Sequence, residues 1–177
     1  KVPPGSDHLV CTPWMLGERC PVSSTTTRST LFNINMEHTR AHMLRAVYEG
    51  IAYNLRWIME NYERDYGFNC NDFRIIGGGA LNDPWMEIIA DVTGKSFSVP
   101  KDPRNSGAVG AAVVALIGLG ELSGFEEVKE FVEADRHFKP NPENKKIYDE
   151  LFQDYKNVYN SLKGAYDKAN GKRFQGA

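Results

Sequence analysis

The residues best placed to do chemistry stand where a short apolar run, Phe73 to Ile76, passes directly into Gly77-Gly78-Gly79-Ala80, with Asn82, Asp83 and Pro84 just beyond. Three glycines straight after a strand let the backbone approach a ligand closely and adopt positive φ. A helix N-terminus immediately downstream would add unpaired amides and a partial positive charge. Phosphate or a nucleotide is the guest that suits this chemistry, and a tight turn that merely needs glycine is the plain alternative. Two familiar nucleotide motifs do not match the run: a dinucleotide fingerprint would need a third glycine at Asn82, and a P-loop is set aside.

Other constellations are weaker. His38 and His42 stand one helical turn apart and could hold a metal, but a zincin-like site would need a Glu where Thr39 sits, so the pair reads as solvated or partner-facing. Arg19, in the Gly17-Glu18-Arg19-Cys20-Pro21 turn, could reach an anion or form an internal ion pair. No Ser, His and Asp arrangement and no G-x-S-x-G elbow is present, so hydrolase chemistry has no support. Gly107, Ala108, Gly110, Ala111 and Ala112 would let another backbone pack closely, as tight helix-on-sheet packing in one domain or as a hinge between two.

The elements that must position these residues follow from periodicity. His8 to Leu16 and Thr30 to Ile34 read as strands. Leu44, Tyr48, Ile51, Leu55, Ile58 and Tyr62 recur at alternating steps of four and three, one face of a helix that begins near Glu37, capped by Asn35, and stops near Gly67. Phe73 to Ile76 is a strand, and a helix capped at Asp83 ends at Thr93-Gly94. A short strand follows at Phe97 to Val99, then a small-residue helix from Gly107 to Leu119, read as buried. Beyond Gly124 come a short helix and a longer one from about Glu143. Ile147, Leu151, Tyr155, Val158, Leu162 and Tyr166 line one face of the latter, read as core packing. The last residues, Gly171 to Ala177, read as frayed. Strands alternating with helices imply an α/β domain with part of its sheet parallel.

Composition narrows the partners. A chain of 177 residues with 41% hydrophobic content can bury one full-sized core, and a single domain is the default. A net charge of -2 leaves no cationic excess for nucleic acid or an anionic membrane. Cys11, Cys20 and Cys70 are odd in number and show no CxxC pairing, which argues against a disulfide framework and a structural zinc site. The apolar stretch Ala108 to Leu119 falls short of the roughly 20 residues of a membrane span. No signal peptide is visible, and the opening, without an initiator Met, reads as a cut chain.

Taken in order, the motifs resemble the C-terminal domain of the FGGY carbohydrate kinases. They are Gly17-Glu18-Arg19-x-Pro21, Arg28, Leu31-Phe32, the stretch His38-Thr39-Arg40-Ala41-His42 through Glu49-Gly50-Ile51-Ala52, Gly77-Gly78-Gly79-Ala80 with Trp85 and Ala90-Asp91, Gly107-Ala108-x-Gly110-Ala111-Ala112, and Phe138-x-Pro140 before a Tyr-rich helix. The resemblance implies a ribonuclease H-like (actin-like ATPase) domain, a mixed sheet flanked by helices. On this resemblance residues 1–177 form the C-terminal nucleotide-binding domain of a two-domain sugar kinase whose N-terminal domain is not in the chain. Gly77, Gly78, Gly79, Ala80 and Asn82 would lie against the adenosine and α-phosphate of ATP.

The implied reaction is transfer of the ATP γ-phosphoryl group, with Mg²⁺, to a sugar hydroxyl deprotonated by an Asp. The family's catalytic Asp, its first phosphate loop and most sugar contacts lie upstream, so no catalytic residue and no metal ligand is assigned in this chain, and the fragment alone is expected to be inactive. A ketopentose such as xylulose, or a related ketose or polyol, is the substrate implied, the cytoplasm the location, and a homodimer is allowed. Two departures bear on substrate: Asn33 stands where the second family signature has a glycine, and Val22-Ser23-Ser24-Thr25 lacks the acidic residue usual after the Gly-Glu-Arg-x-Pro turn. The competing readings are an actin-like nucleotide switch without sugar turnover, and a purely structural domain.

Overall fold

The computed structural model describes residues 2–130 and 132–171. Its elements run β1 (Val10–Thr12), β2 (Thr30–Phe32), α1 (Arg40–Tyr66), β3 (Asp72–Arg74), α2 (Asp83–Thr93), β4 (Ser96–Pro100), α3 (Ser106–Leu119), β5 (Ala134–Phe138) and α4 (Lys145–Asn170). Short turns stand at Ser6–His8, Gly78–Leu81, Phe125–Glu130 and Pro142–Asn144. The alternation of strand and helix is as expected, with β5 added. The chain divides into two compact units. One comprises Lys1–Asn69, Asp91–Thr93 and Asn141–Ala177, and the other Cys70–Ala90 and Gly94–Pro140. The fraying expected at the C-terminal end lies, beyond Gly171, outside the described residues.

In the first unit β1 and β2 pair antiparallel, Val10 opposite Phe32. Helix α1 starts at Arg40 rather than near Glu37, and its cap is Thr39 rather than Asn35. His42 Nδ1 accepts from the Thr39 amide at 3.2 Å, closing the first turn in the manner of a capping box with His in the place of Glu. Asn35 instead accepts the Glu37 and His38 amides in a separate turn. Gly67, at φ 64, ends the helix where expected. The face α1 buries carries Ala46, Glu49, Gly50, Ala52 and Tyr53. The large-residue stripe read from the sequence is rotated away from it, and Leu44 is 53% exposed.

The reason lies at Gly50, where an added Cβ would stand 2.1 Å from the Cys11 carbonyl oxygen of β1. Helix and strand touch backbone to backbone there, which only small residues allow. Gly50→Ala therefore sets two effects against each other: a helix-propensity gain of about 1 kcal/mol and an overlap with main chain that no rotamer relieves, costing about 3 kcal/mol. The net expectation is destabilisation by roughly 2 kcal/mol, read as a lower denaturant midpoint at unchanged slope. Helix α4 closes this unit with Tyr148, Leu151, Phe152, Tyr155, Val158 and Tyr159 buried. The Trp14 ring packs tilted against Tyr155 and edge-on against Tyr159, both at 5.3 Å between ring centres, so the aromatic stripe is core packing, as expected.

In the second unit β3 and β4 pair parallel and β4 and β5 antiparallel, in the order β3-β4-β5. Phe97 and Val99 of β4 and Met86, Ile88, Ile89 and Ala90 of α2 are buried. Helix α3 departs from expectation: of its residues only Val113 is buried, and Val114 is 58% and Leu119 77% exposed. Such a helix is apolar on every side, so within its own unit one contact line cannot cover it. No helix among the described residues is long and apolar enough to cross a membrane.

Candidate functional site

Strand β3 hands its register to the glycine turn, with the Ile75 amide donating to Ser98 O at 2.9 Å and the Gly77 amide to Pro103 O at 2.7 Å. The three glycines then do different things. Gly77 sits at φ 99, which side chains rarely tolerate. Gly79 has no room, since a Cβ there would meet the Trp85 ring at 2.6 Å. Gly78 has neither constraint: its φ lies outside the left-handed region and the nearest atom to an added Cβ is Arg104 Nε at 4.0 Å. Gly78 and Gly79 are exposed, and Ala80 beside them is buried. The turn is closed by the Ala80 amide on Gly77 O and the Asn82 amide on Gly79 O, each 3.2 Å.

Asn82, not Asp83, caps α2, its Oδ1 accepting the Trp85 amide at 3.1 Å. Asp83 and Pro84 fill the first two helical positions. Because Pro84 has no N–H and Asn82 takes the Trp85 amide, this helix end offers fewer open donors than expected, and the exposed backbone at Gly78 and Gly79 becomes the surface a ligand would meet. Sequence reasoning also passed over Gly94-Lys95-Ser96. The structure disposes of it as a P-loop: Gly94, at φ 68, ends α2 rather than preceding a helix, Lys95 Nζ donates to Asn71 Oδ1 and the Ser96 amide to Asn71 O.

Arg136 of β5, missed in the sequence for want of a local partner, reaches the turn. Its Nη2 donates to Ala80 O at 2.9 Å and its Nη1 pairs with Asp83 Oδ1. An open groove of about 760 Å³ in the same unit is lined by Pro100, Lys101, Asp102, Ser106, Val109 and the strand start at Val132–Asp135. Among the described residues nothing lies within 4 Å of a Cβ added at Gly107 or Gly110, so tight helix-on-sheet packing is not what these small residues do within this unit.

The remaining candidates resolve as structure. His38 Nε2 lies 3.1 Å from Asp7 O and His38 Nδ1 accepts the Asn35 amide, so His38 fixes local turns while His42 caps α1 through Thr39. Among the described residues there is no cluster of three or more metal-ligating side chains. Glu18 turns its carboxylate onto the Arg19 and Cys20 amides at 2.7 and 3.3 Å, and the ion pair considered for Arg19 is not formed among the described residues. Cys11 is buried, Cys20 exposed and Cys70 half-buried, all free thiols.

The first unit holds a second feature that sequence reasoning missed, the carboxylate of Glu49, 1% exposed. It accepts the Gly5 amide (2.9 Å), Ser6 Oγ (2.6 Å), Arg45 Nε (2.8 Å) and Tyr148 OH (3.0 Å). Burial first, and the neighbouring Glu49 charge second, push the Tyr148 phenol above its ordinary range, so it stays a donor. Arg45 and Glu49 at i and i+4 were the only sequence signal.

Residues 1–119 match the C-terminal domain of the FGGY family of carbohydrate kinases. The chain is 34% identical over 163 residues to the xylulose kinase of Bacillus subtilis, covering 92% of this chain and 32% of that protein. It is 28% identical over 174 residues to the gluconokinase of Bacillus licheniformis, covering 98% and 34%. Among solved structures, the ligand-bound xylulose kinase of Lactobacillus acidophilus superposes with a TM-score of 0.85 at 28% identity, over 94% of this chain and 34% of that one. The xylulose kinase of Rhodospirillum rubrum gives 0.78 at 34% identity, over 93% and 33%. The chain thus spans about a third of the length of these relatives.

The fold is that of the ribonuclease H-like, actin-like ATPase class. More narrowly, the chain belongs to the FGGY family of carbohydrate kinases.

Proposed function

We propose that this chain is the nucleotide-binding C-terminal part of an ATP-dependent carbohydrate kinase that phosphorylates a ketopentose such as xylulose, or a related ketose or polyol. The observation that carries the reading is Gly78, an exposed glycine that neither its backbone conformation nor packing among the described residues calls for. A ligand lying on the main chain gives it a reason. In this reading Gly78, Gly79 and Ala80 hold the adenosine and α-phosphate side of ATP, with Asn82 fixing the helix behind them. Mg²⁺ would arrive with the phosphates and be held from outside this chain, as would the sugar and the general base. Domain closure would exclude water, so that the sugar hydroxyl is the acceptor, and the isolated chain would not turn over. These assignments suit a cytoplasmic enzyme.

The test is coupled ADP release by the full-length parent protein across ketopentoses, aldoses, polyols and gluconate, the last because gluconokinases are among the relatives. One ketose is expected to raise turnover at least about a hundredfold over the sugar-free rate, a barrier difference of about 2.7 kcal/mol. Flat, sugar-independent turnover in a protein that binds Mg-ATP would overturn the kinase reading in favour of a nucleotide switch.

A further inference from the structure

We propose that Arg136 is a positioning residue of the nucleotide site, holding the glycine turn through Ala80 O and cancelling the charge of Asp83 where a ligand's phosphates would approach. This rests on the reading of Gly77–Asn82 as the nucleotide-binding turn. Arg136 lies on β5, beyond the family match at residue 119, and its partner Ala80 is 56 residues away. The reach is set by the sheet: Arg136 stands opposite Val99 on β4, and β4 pairs with β3, the strand that runs into the turn.

Two physical tasks meet in this one side chain. Its Nη2 fixes the carbonyl of the only buried residue in the turn, so the exposed backbone at Gly78 and Gly79 is presented in one conformation. Its Nη1 pairs with Asp83, which sits in the first turn of α2 and is 54% exposed. A carboxylate there suits the helix dipole but repels a polyanion. The Arg136 guanidinium removes that repulsion without removing the residue. The planar fork serves a carbonyl and a carboxylate at once; a lysine, with a single charged nitrogen, would keep the charge and lose the double anchorage.

Binding of adenosine and of ADP to the full-length parent protein, by calorimetry at fixed low salt, separates the tasks. Adenosine reports the shape of the turn alone, and ADP reports shape and charge. Arg136→Ala is expected to weaken ADP about tenfold and adenosine about threefold. Adding Asp83→Asn to it should restore the ratio of ADP to adenosine affinity but not adenosine binding itself, and Arg136→Lys should do the same. Asp83→Asn alone, which leaves the fold's anchors on Ala80 intact, should favour ADP over adenosine by about threefold more than wild type. A merely structural Arg136 would lower the thermal midpoint and leave the ADP-to-adenosine ratio unchanged in all four variants, which overturns the proposal. If wild type binds neither ligand, the nucleotide reading falls and this inference with it; if wild type binds and the ratio never moves, only this inference falls.

Discussion

Replacing Glu49 with Ala is expected to cost about 4 kcal/mol of folding stability and to lower the thermal midpoint by roughly 10 °C. The carboxylate is 1% exposed and accepts from four groups. Its removal leaves the buried Gly5 amide, Ser6 hydroxyl and Tyr148 phenol without their acceptor, and the half-buried Arg45 without its counter-charge. The same bonds hold a left-handed turn in which Ser6, Asp7 and His8 have φ of 50, 54 and 61. Residues other than glycine pay roughly 1 kcal/mol or more each for that conformation, and the anchorage of Gly5 and Ser6 by Glu49 offsets it. Glu49→Gln keeps an acceptor of the same shape and should lose only about 2 kcal/mol. Amide exchange across Gly5–Leu9 should rise in both variants, further in the first. An unchanged midpoint in Glu49→Ala would mean that Arg45, whose side chain is 24% exposed, swings to water and that the hub contributes nothing net.

How much of this fold could be read in the sequence depends on how local the cause was. Helix ends at Gly67 and Gly94 were legible because a single residue at positive φ decides them. The buried face of α1 was not. The large apolar residues from Leu44 to Tyr62 form the obvious stripe, yet the helix meets β1 through Ala46 and Gly50, because the approach to Cys11 O leaves no room for a side chain. Periodicity finds where large residues recur, and here close packing selected small ones. Strand β5, Ala134-Asp135-Arg136-His137-Phe138, carries three polar residues in five. It is a strand because β4 supplies its ladder, Phe97 to Phe138 and Ser98 to His137, not because its residues favour one. Helix α3 was placed correctly and its environment was not, since burial is a property of neighbours.

The candidate site divides along the same line. Strand, glycines, Asn82 and Pro84 are consecutive, so the turn was legible to within one residue of its cap. What each glycine is for was not: Gly79 is explained by Trp85, six positions on, and Gly77 by the bend that carries its amide to Pro103 O. Arg136 and Glu49 act through partners 56 and up to 99 residues away, distances at which a sequence alone offers no spacing to measure. His42 stood in view as a metal candidate, and its Nδ1 turns out to be occupied by Thr39.

The glycine turn yields the second large effect. Gly78→Val in the full-length parent protein is expected to weaken ADP binding about a hundredfold, some 2.7 kcal/mol, with a thermal midpoint close to wild type. The described residues do not require glycine at this position, because an added Cβ comes no closer than 4.0 Å to any of them and φ is not left-handed. Shortening the unfolded chain's freedom should even be mildly stabilising in Gly78→Ala, by about 0.5 kcal/mol, while its methyl group still stands where a ligand would lie and weakens ADP about tenfold. Gly79→Val gives the contrast: its side chain drives into the Trp85 ring, 2.6 Å from the first carbon alone, so affinity and midpoint fall together. A turn that merely needed glycine would show the opposite pattern at Gly78, full ADP affinity in both variants, because among the described residues only Arg104 Nε, at 4.0 Å, approaches an added Cβ. Loss of affinity without loss of stability at Gly78, beside loss of both at Gly79, is the signature of a backbone kept bare for a ligand.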